Sequence, residues 1–142
     1  MGLLGKLFGT KKPVHPELDP SSPAVERIER DKAMLEAFAA KIRDKLELVP
    51  GSRGTYVFIG RPPDAFGIVW FVGSEEHNLK RLMADRKLSA AKIQAISDEL
   101  REAYQRTQEE PRYAYTLAGK NVVVTPSPAL EAELEKHIHD VA

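Results

Sequence analysis

Phe66-Gly67-Ile68-Val69-Trp70-Phe71-Val72 is strand-like and apolar on both of its alternating faces. Side chains alternate across a strand, so Phe66, Ile68, Trp70 and Val72 share one face and Val69 and Phe71 the other. A strand with one wet face is polar at every second position. This one is not. It belongs in the middle of a sheet covered on both sides, by helices of this chain or by a partner. Thr55 to Ile59 shares the property, since Val57 and Ile59 alternate with Tyr56 and Phe58. Arg61-Pro62-Pro63-Asp64 connects the two stretches as a hairpin.

Upstream of the hairpin, Ser22 is placed to cap a helix with Pro23 at its first position and Glu26 in its first turn. Val25, Ile28, Leu35, Phe38, Ile42 and Leu46 recur at three- and four-residue steps or their sums. That spacing predicts one amphipathic helix, ended by Pro50-Gly51. Downstream, Ser74 is placed to cap a helix with Glu75 and Glu76 against its dipole and Leu79, Leu82 and Met83 inward. A break is expected around Lys87–Ser89, where Ser89 caps anew and Leu88 staples against Ile93. The stripe then runs through Ile96, Leu100 and Tyr104 and stops before Pro111. Arg112 to Ala118 and Asn121 to Thr125 form a second hairpin, turned by Gly119-Lys120 as type II′. Pro128 opens a final helix through Leu130, Leu134, Ile138 and Val141.

The expected fold is α+β, in the order α-ββ-α-ββ-α. Two hairpins form a four-stranded, mainly antiparallel sheet with helices on one face. Residues 24–142 are read as the single domain, and residues 1–23, punctuated by Pro13, Pro16, Pro20 and Pro23, as a tail. This element order resembles that of the type III secretion chaperone-like folds, and that likeness of order implies dimerisation and peptide binding.

Charge and composition narrow the function classes. The 142 residues carry 21 basic and 21 acidic side chains, so no overall field draws the chain to nucleic acid or lipid. Residues 24–47 are balanced as well, with six of each sign. Without cysteine there are no disulfides, thiolate nucleophiles or sulfur-ligated metals, which suits the cytoplasm. No apolar run reaches the roughly 20 residues of a membrane span. Residues 1–9 match neither a signal peptide nor a myristoylation signal. Leu3, Leu4, Leu7 and Phe8 nevertheless give that stretch an apolar face, followed by Lys11 and Lys12, and make membrane contact through residues 1–9 a minor expectation.

Few residues carry chemistry. His137 and His139 stand about 200° apart on a helix and diverge, so no metal site is expected. Pro50-Gly51-Ser52-Arg53-Gly54 precedes a strand, whereas phosphate loops follow one. Residues 79–101 have a helix-turn-helix-like spacing, but Asp98, Glu99 and Glu102 oppose a phosphate backbone, and nucleic acid is not the expected partner. No catalytic group and no cofactor are assigned. The candidate binding residues are Arg61, on a stiff loop and suited to a carboxylate or phosphate, the aromatics Trp70 and Phe71, and His77 just beyond the central strand. One layer of helices leaves a sheet face over. The leading expectation is therefore a small non-enzymatic binding or adaptor protein that self-associates through this face, or takes a protein or peptide partner there. The alternative is a small-ligand-binding domain or modest enzyme with a cleft near Trp70, His77 and Arg61.

Overall fold

The computed structural model describes residues 15–139. It corrects the expected four-stranded sheet: six strands form one mixed sheet in the order β4-β3-β2-β1-β6-β5. The elements are α1 (Pro23–Arg30), α2 (Lys32–Lys41), β1 (Leu46–Pro50), β2 (Gly54–Arg61), β3 (Ala65–Val72), β4 (Glu75–Asn78), α3 (Leu79–Arg86), α4 (Ala90–Arg106), β5 (Tyr113–Leu117), β6 (Lys120–Val124) and α5 (Pro128–His139). Neighbouring strands are antiparallel except β1 and β6, which run parallel with Glu47 opposite Val123 and Leu48 opposite Val124.

Two segments expected to be helical supply the extra strands. The helix begun by Ser22, whose hydroxyl accepts from the Ala24 amide at 3.2 Å, breaks at Asp31. The Asp31 carboxylate turns inward, where Thr55 Oγ1 donates to it at 2.9 Å. After α2, residues 46–50 extend and are buried throughout. Leu46 and Leu48 fit a helical stripe and a strand face equally well. Pairing with β2 on one side and β6 on the other decides for the strand, which is tertiary context overriding local pattern. At Gly73-Ser74 the chain reverses in a two-residue turn with φ of 56° and 72°, so Ser74 is a turn residue and not a cap. Glu75–Asn78 return as β4, and Asn78 caps α3 by accepting from the Arg81 amide.

Other local expectations hold or shift slightly. Lys87 ends α3 in the left-handed region, and Ser89 caps α4 through the Lys92 amide. The second hairpin turns one residue earlier than expected. Ala118 and Gly119 have φ of 54° and 77° and Leu117 faces Lys120, which is the type I′ pattern. Pro16–Leu18 lie along the outer edge of β5. There Leu18 N donates to the Ala114 carbonyl and Ala114 N to the Pro16 carbonyl, at 2.9 and 2.8 Å. Residues 1–14 and 140–142, including the expected apolar face at Leu3–Phe8 and the last residue of the final helical stripe, lie outside the described residues.

Helices pack on both faces of the sheet, which overturns the single helical layer. On one face α1 and α2 bring Ile28, Leu35 and Phe38 onto Leu46, Leu48, Val57, Val69, Phe71, Val122 and Val124. On the other, α3, α4 and α5 bring Leu82, Ile96, Leu100, Leu130, Leu134 and Ile138 onto Val49, Tyr56, Phe58, Ile68 and Trp70. The two apolar faces of β2 and β3 are thus satisfied within the chain. Gly54 permits the close β2–β3 approach, because a Cβ there would meet the Phe71 carbonyl oxygen at 2.2 Å.

Two carboxylates, Asp31 and Glu47, are buried among the described residues. Glu47 is 8% exposed. Its Oε1 accepts from the Tyr104 hydroxyl at 2.6 Å, and its Oε2 accepts from Thr125 Oγ1 at 2.5 Å and Arg112 Nε at 3.1 Å. Arg112 Nη1 donates in turn to the carbonyls of Thr107, Gln108 and Glu110, closing the C-terminal end of α4. Burial, followed by the hydrogen bond to Glu47, pushes the Tyr104 hydroxyl up to about 12.

Glu47→Ala leaves Arg112 without its buried counter-charge and is expected to cost about 3–5 kcal/mol by urea unfolding. The Glu47→Ala/Arg112→Ala double variant should lose clearly less than the sum of the single variants. In alkali the unfolded chain releases the Tyr104 proton near the ordinary tyrosine pKa of about 10. The folded chain keeps it to about 12, so stability falls as pH rises between these values. Tyr104→Phe should flatten that fall in a pH series of thermal melts.

Candidate binding site

Trp70 and His77 meet because the Gly73-Ser74 turn makes them direct partners across β3 and β4. Both side chains project toward the α3–α5 side. Their rings are stacked, with centroids 6.0 Å apart and an interplanar angle of 16°. Trp70 is buried and His77 half-buried.

A pocket of about 140 Å³ opens beside this pair. Leu82, Arg81 and Asp85 of α3 line one side and His139, at the end of α5, lines another. Arg81 Nη1 donates to the Glu76 carbonyl at 2.7 Å, and its Nε lies 3.7 Å from Asp85. The first of these contacts occupies a backbone acceptor of β4, the short and charged last strand of the sheet, which blunts it as a template for a further strand. His139 Nε2 is hydrogen-bonded to the Tyr56 hydroxyl at 2.9 Å. Burial raises the Tyr56 pKa well above the ordinary tyrosine value, and the Glu135 and Glu131 charges add to the shift. The phenol therefore stays protonated at neutral pH and holds the His139 ring from the buried side, outside the pocket lining.

The remaining candidates lie elsewhere. Phe71 points to the opposite face and packs edge-on against Phe38 with ring centroids 5.6 Å apart. Arg61 is exposed at the far end of β2, paired with Ala65, whereas Trp70 pairs with Tyr56 five residues away along the strand. That separation is about 16 Å at strand rise. A cleft shared by Trp70, His77 and Arg61 does not form. The loop beside Arg61 is held from α4, where Arg101 Nε donates to the Pro63 carbonyl at 2.7 Å and its guanidinium covers the Phe66 ring.

Arg81 and Asp85 escaped the sequence reading, which took Leu82 as a core residue of the helix and weighed His139 only as a metal ligand, so neither was placed at this site. A signal for the Trp70–His77 pair was present. Reading Gly73-Ser74 as a two-residue hairpin turn sets Val72 opposite Glu75 and, two steps on, Trp70 opposite His77. The two C-terminal histidines do diverge: His137 Nε2 lies 3.2 Å from Glu133 and 3.6 Å from Glu99, while His139 turns to Tyr56. Among the described residues no cluster of three or more histidine or carboxylate side chains is arranged to hold a metal ion. None of their helices is long and apolar enough to cross a membrane.

Trp70→Ala empties a buried indole site between β3 and α3–α5 and is expected to cost about 3–5 kcal/mol by chemical unfolding. His77→Ala, at a half-buried position on the outermost strand, should cost less than about 1.5 kcal/mol.

The order α-ββ-α-ββ-α that suggested a secretion-chaperone likeness is not the order observed. Comparison with known protein families, with curated proteins and with solved structures gives no match to this chain.

Proposed function

We propose that this is a small, non-enzymatic binding protein of the cytoplasm whose contact site is the Trp70–His77 pocket. The carrying observation is that pocket: a stacked aromatic wall beside about 140 Å³ of open space, flanked by Arg81, Asp85 and His139. A cavity of about 150 Å³ holds one benzene ring. The volume therefore suits one aromatic ring or one branched aliphatic group, with polar groups at the rim to orient what carries it. Such a site works as the anchor pocket of a protein or peptide contact, where one buried side chain supplies much of the binding energy. Self-association through a spare sheet face loses its basis, because α1 and α2 cover that face.

Trp70 is the chain's one tryptophan, so its fluorescence reports the pocket without labelling. Titration with the N-acetyl amides of phenylalanine, tyrosine and leucine should give a saturable change, with affinities no tighter than roughly the millimolar range for so few atoms. His77→Ala should weaken the response several-fold while the thermal transition stays cooperative. An emission spectrum unmoved by all three probes, or a response identical in His77→Ala, would contradict the pocket as the contact site.

A further inference from the structure

The wall that α3 and its cap give to the Trp70–His77 pocket is made by Asn78, Arg81, Leu82 and Asp85. Steps of three and four residues bring these side chains to one face of the helix. Leu82 is the buried member, and the other three are polar.

Most polar groups around the pocket are already engaged. The Asn78 side-chain oxygen accepts from the Arg81 amide at 2.8 Å, and Arg81 Nη1 donates to the Glu76 carbonyl. His139 Nε2 is bonded to the Tyr56 hydroxyl. His77 lies flat against Trp70, with its Nε2 3.6 Å from Glu75. Asp85 differs. Its polar contact among the described residues is the approach of Arg81 Nε at 3.7 Å, too long for a hydrogen bond. A carboxylate offers about four lone-pair sites and no donor. The rim of the pocket thus presents an acceptor to whatever enters.

Charge narrows what can use it. Arg81 and Asp85 stand side by side and cancel. A cationic head group would meet Arg81 and an anionic one would meet Asp85, so each is opposed by one of the pair. A neutral group that donates a hydrogen bond is opposed by neither. Size narrows it further. About 140 Å³ is the room of a single ring, which a bicyclic indole overfills. A phenol satisfies both conditions.

We infer that the occupant of this pocket, taken as the contact site proposed above, is a tyrosine side chain of the partner. Its ring rests against Trp70, His77 and Leu82, and its hydroxyl donates to Asp85. Asp85 is then the residue that sets specificity. A purely apolar pocket of the same size prefers toluene to p-cresol, because the hydroxyl gives up water there and gains no partner.

The test follows the indole N–H resonance of Trp70, one signal in a chain with one tryptophan, during titration with toluene, p-cresol and 4-methylbenzoate. p-Cresol should bind about three- to tenfold tighter than toluene, the span of one net hydrogen bond. It should also bind tighter than 4-methylbenzoate. Asp85→Ala should reverse the order of p-cresol and toluene with unchanged thermal unfolding, since it removes an acid from the last turn of α3, where the helix dipole disfavours one. Toluene binding the unaltered chain at least as tightly as p-cresol overturns the inference, as does a p-cresol preference that survives Asp85→Ala. Tighter binding of 4-methylbenzoate than of p-cresol would hand the rim to Arg81 and overturn it as well. An indole signal that none of the three probes moves would strike the pocket as contact site, and the tyrosine with it.

Discussion

Everything in this fold depends on β1 being extended. Its antiparallel bond to β2 holds the four-stranded meander β1–β4, and its parallel bond to β6 holds the second hairpin. Without those five residues the two hairpins are separate objects. A parallel pair needs a long crossover. Here the crossover is most of the chain between residues 50 and 120, including α3 and α4. Glu47 marks the junction. Its carboxylate ties α4 through Tyr104, the approach to β5 through Arg112 and the exit from β6 through Thr125. An apolar residue there would pack without specifying which of these segments come together. The buried charge thus acts as a registry device joining the two halves.

Closing the sheet on both faces moves the place where binding is to be sought. The aromatic surplus of β2 and β3 is core, with Phe71 on the α1–α2 side and Trp70 on the α3–α5 side. What remains open lies at the periphery. The Trp70–His77 pocket sits against the last strand.

The strand that decides the fold was legible from its residues, and so was the sharing of Phe66, Ile68, Trp70 and Val72 on one face. The Ser22 and Ser89 caps and the break near Lys87 were legible too, because capping chemistry is local. What misled was the Ile42–Leu46 step. It continues a helical period that Asp31 and the β1 pairings interrupt, and both causes lie far away in sequence. Gly73-Ser74 misled in another way, since serine both caps helices and tolerates a turn. With β4 read as a helix start, His77 was expected near Trp70 in a cleft with Arg61, and not stacked on it as a direct partner across two strands. The burial of Glu47 was invisible for a third reason. Whether Glu47 cancels Lys45 depends on which of them is buried, and composition does not record it.

The state of residues 42–50 tests this account most directly, by amide exchange and nuclear Overhauser contacts in solution. An extended β1 predicts that Leu48 and Val49 exchange among the slowest amides of the chain, at the rate of global unfolding. It also predicts backbone contacts from Glu47 to both Phe58 and Val123. Helical contacts three residues apart through 42–49, with exchange there as fast as at Glu75–Asn78, would contradict it.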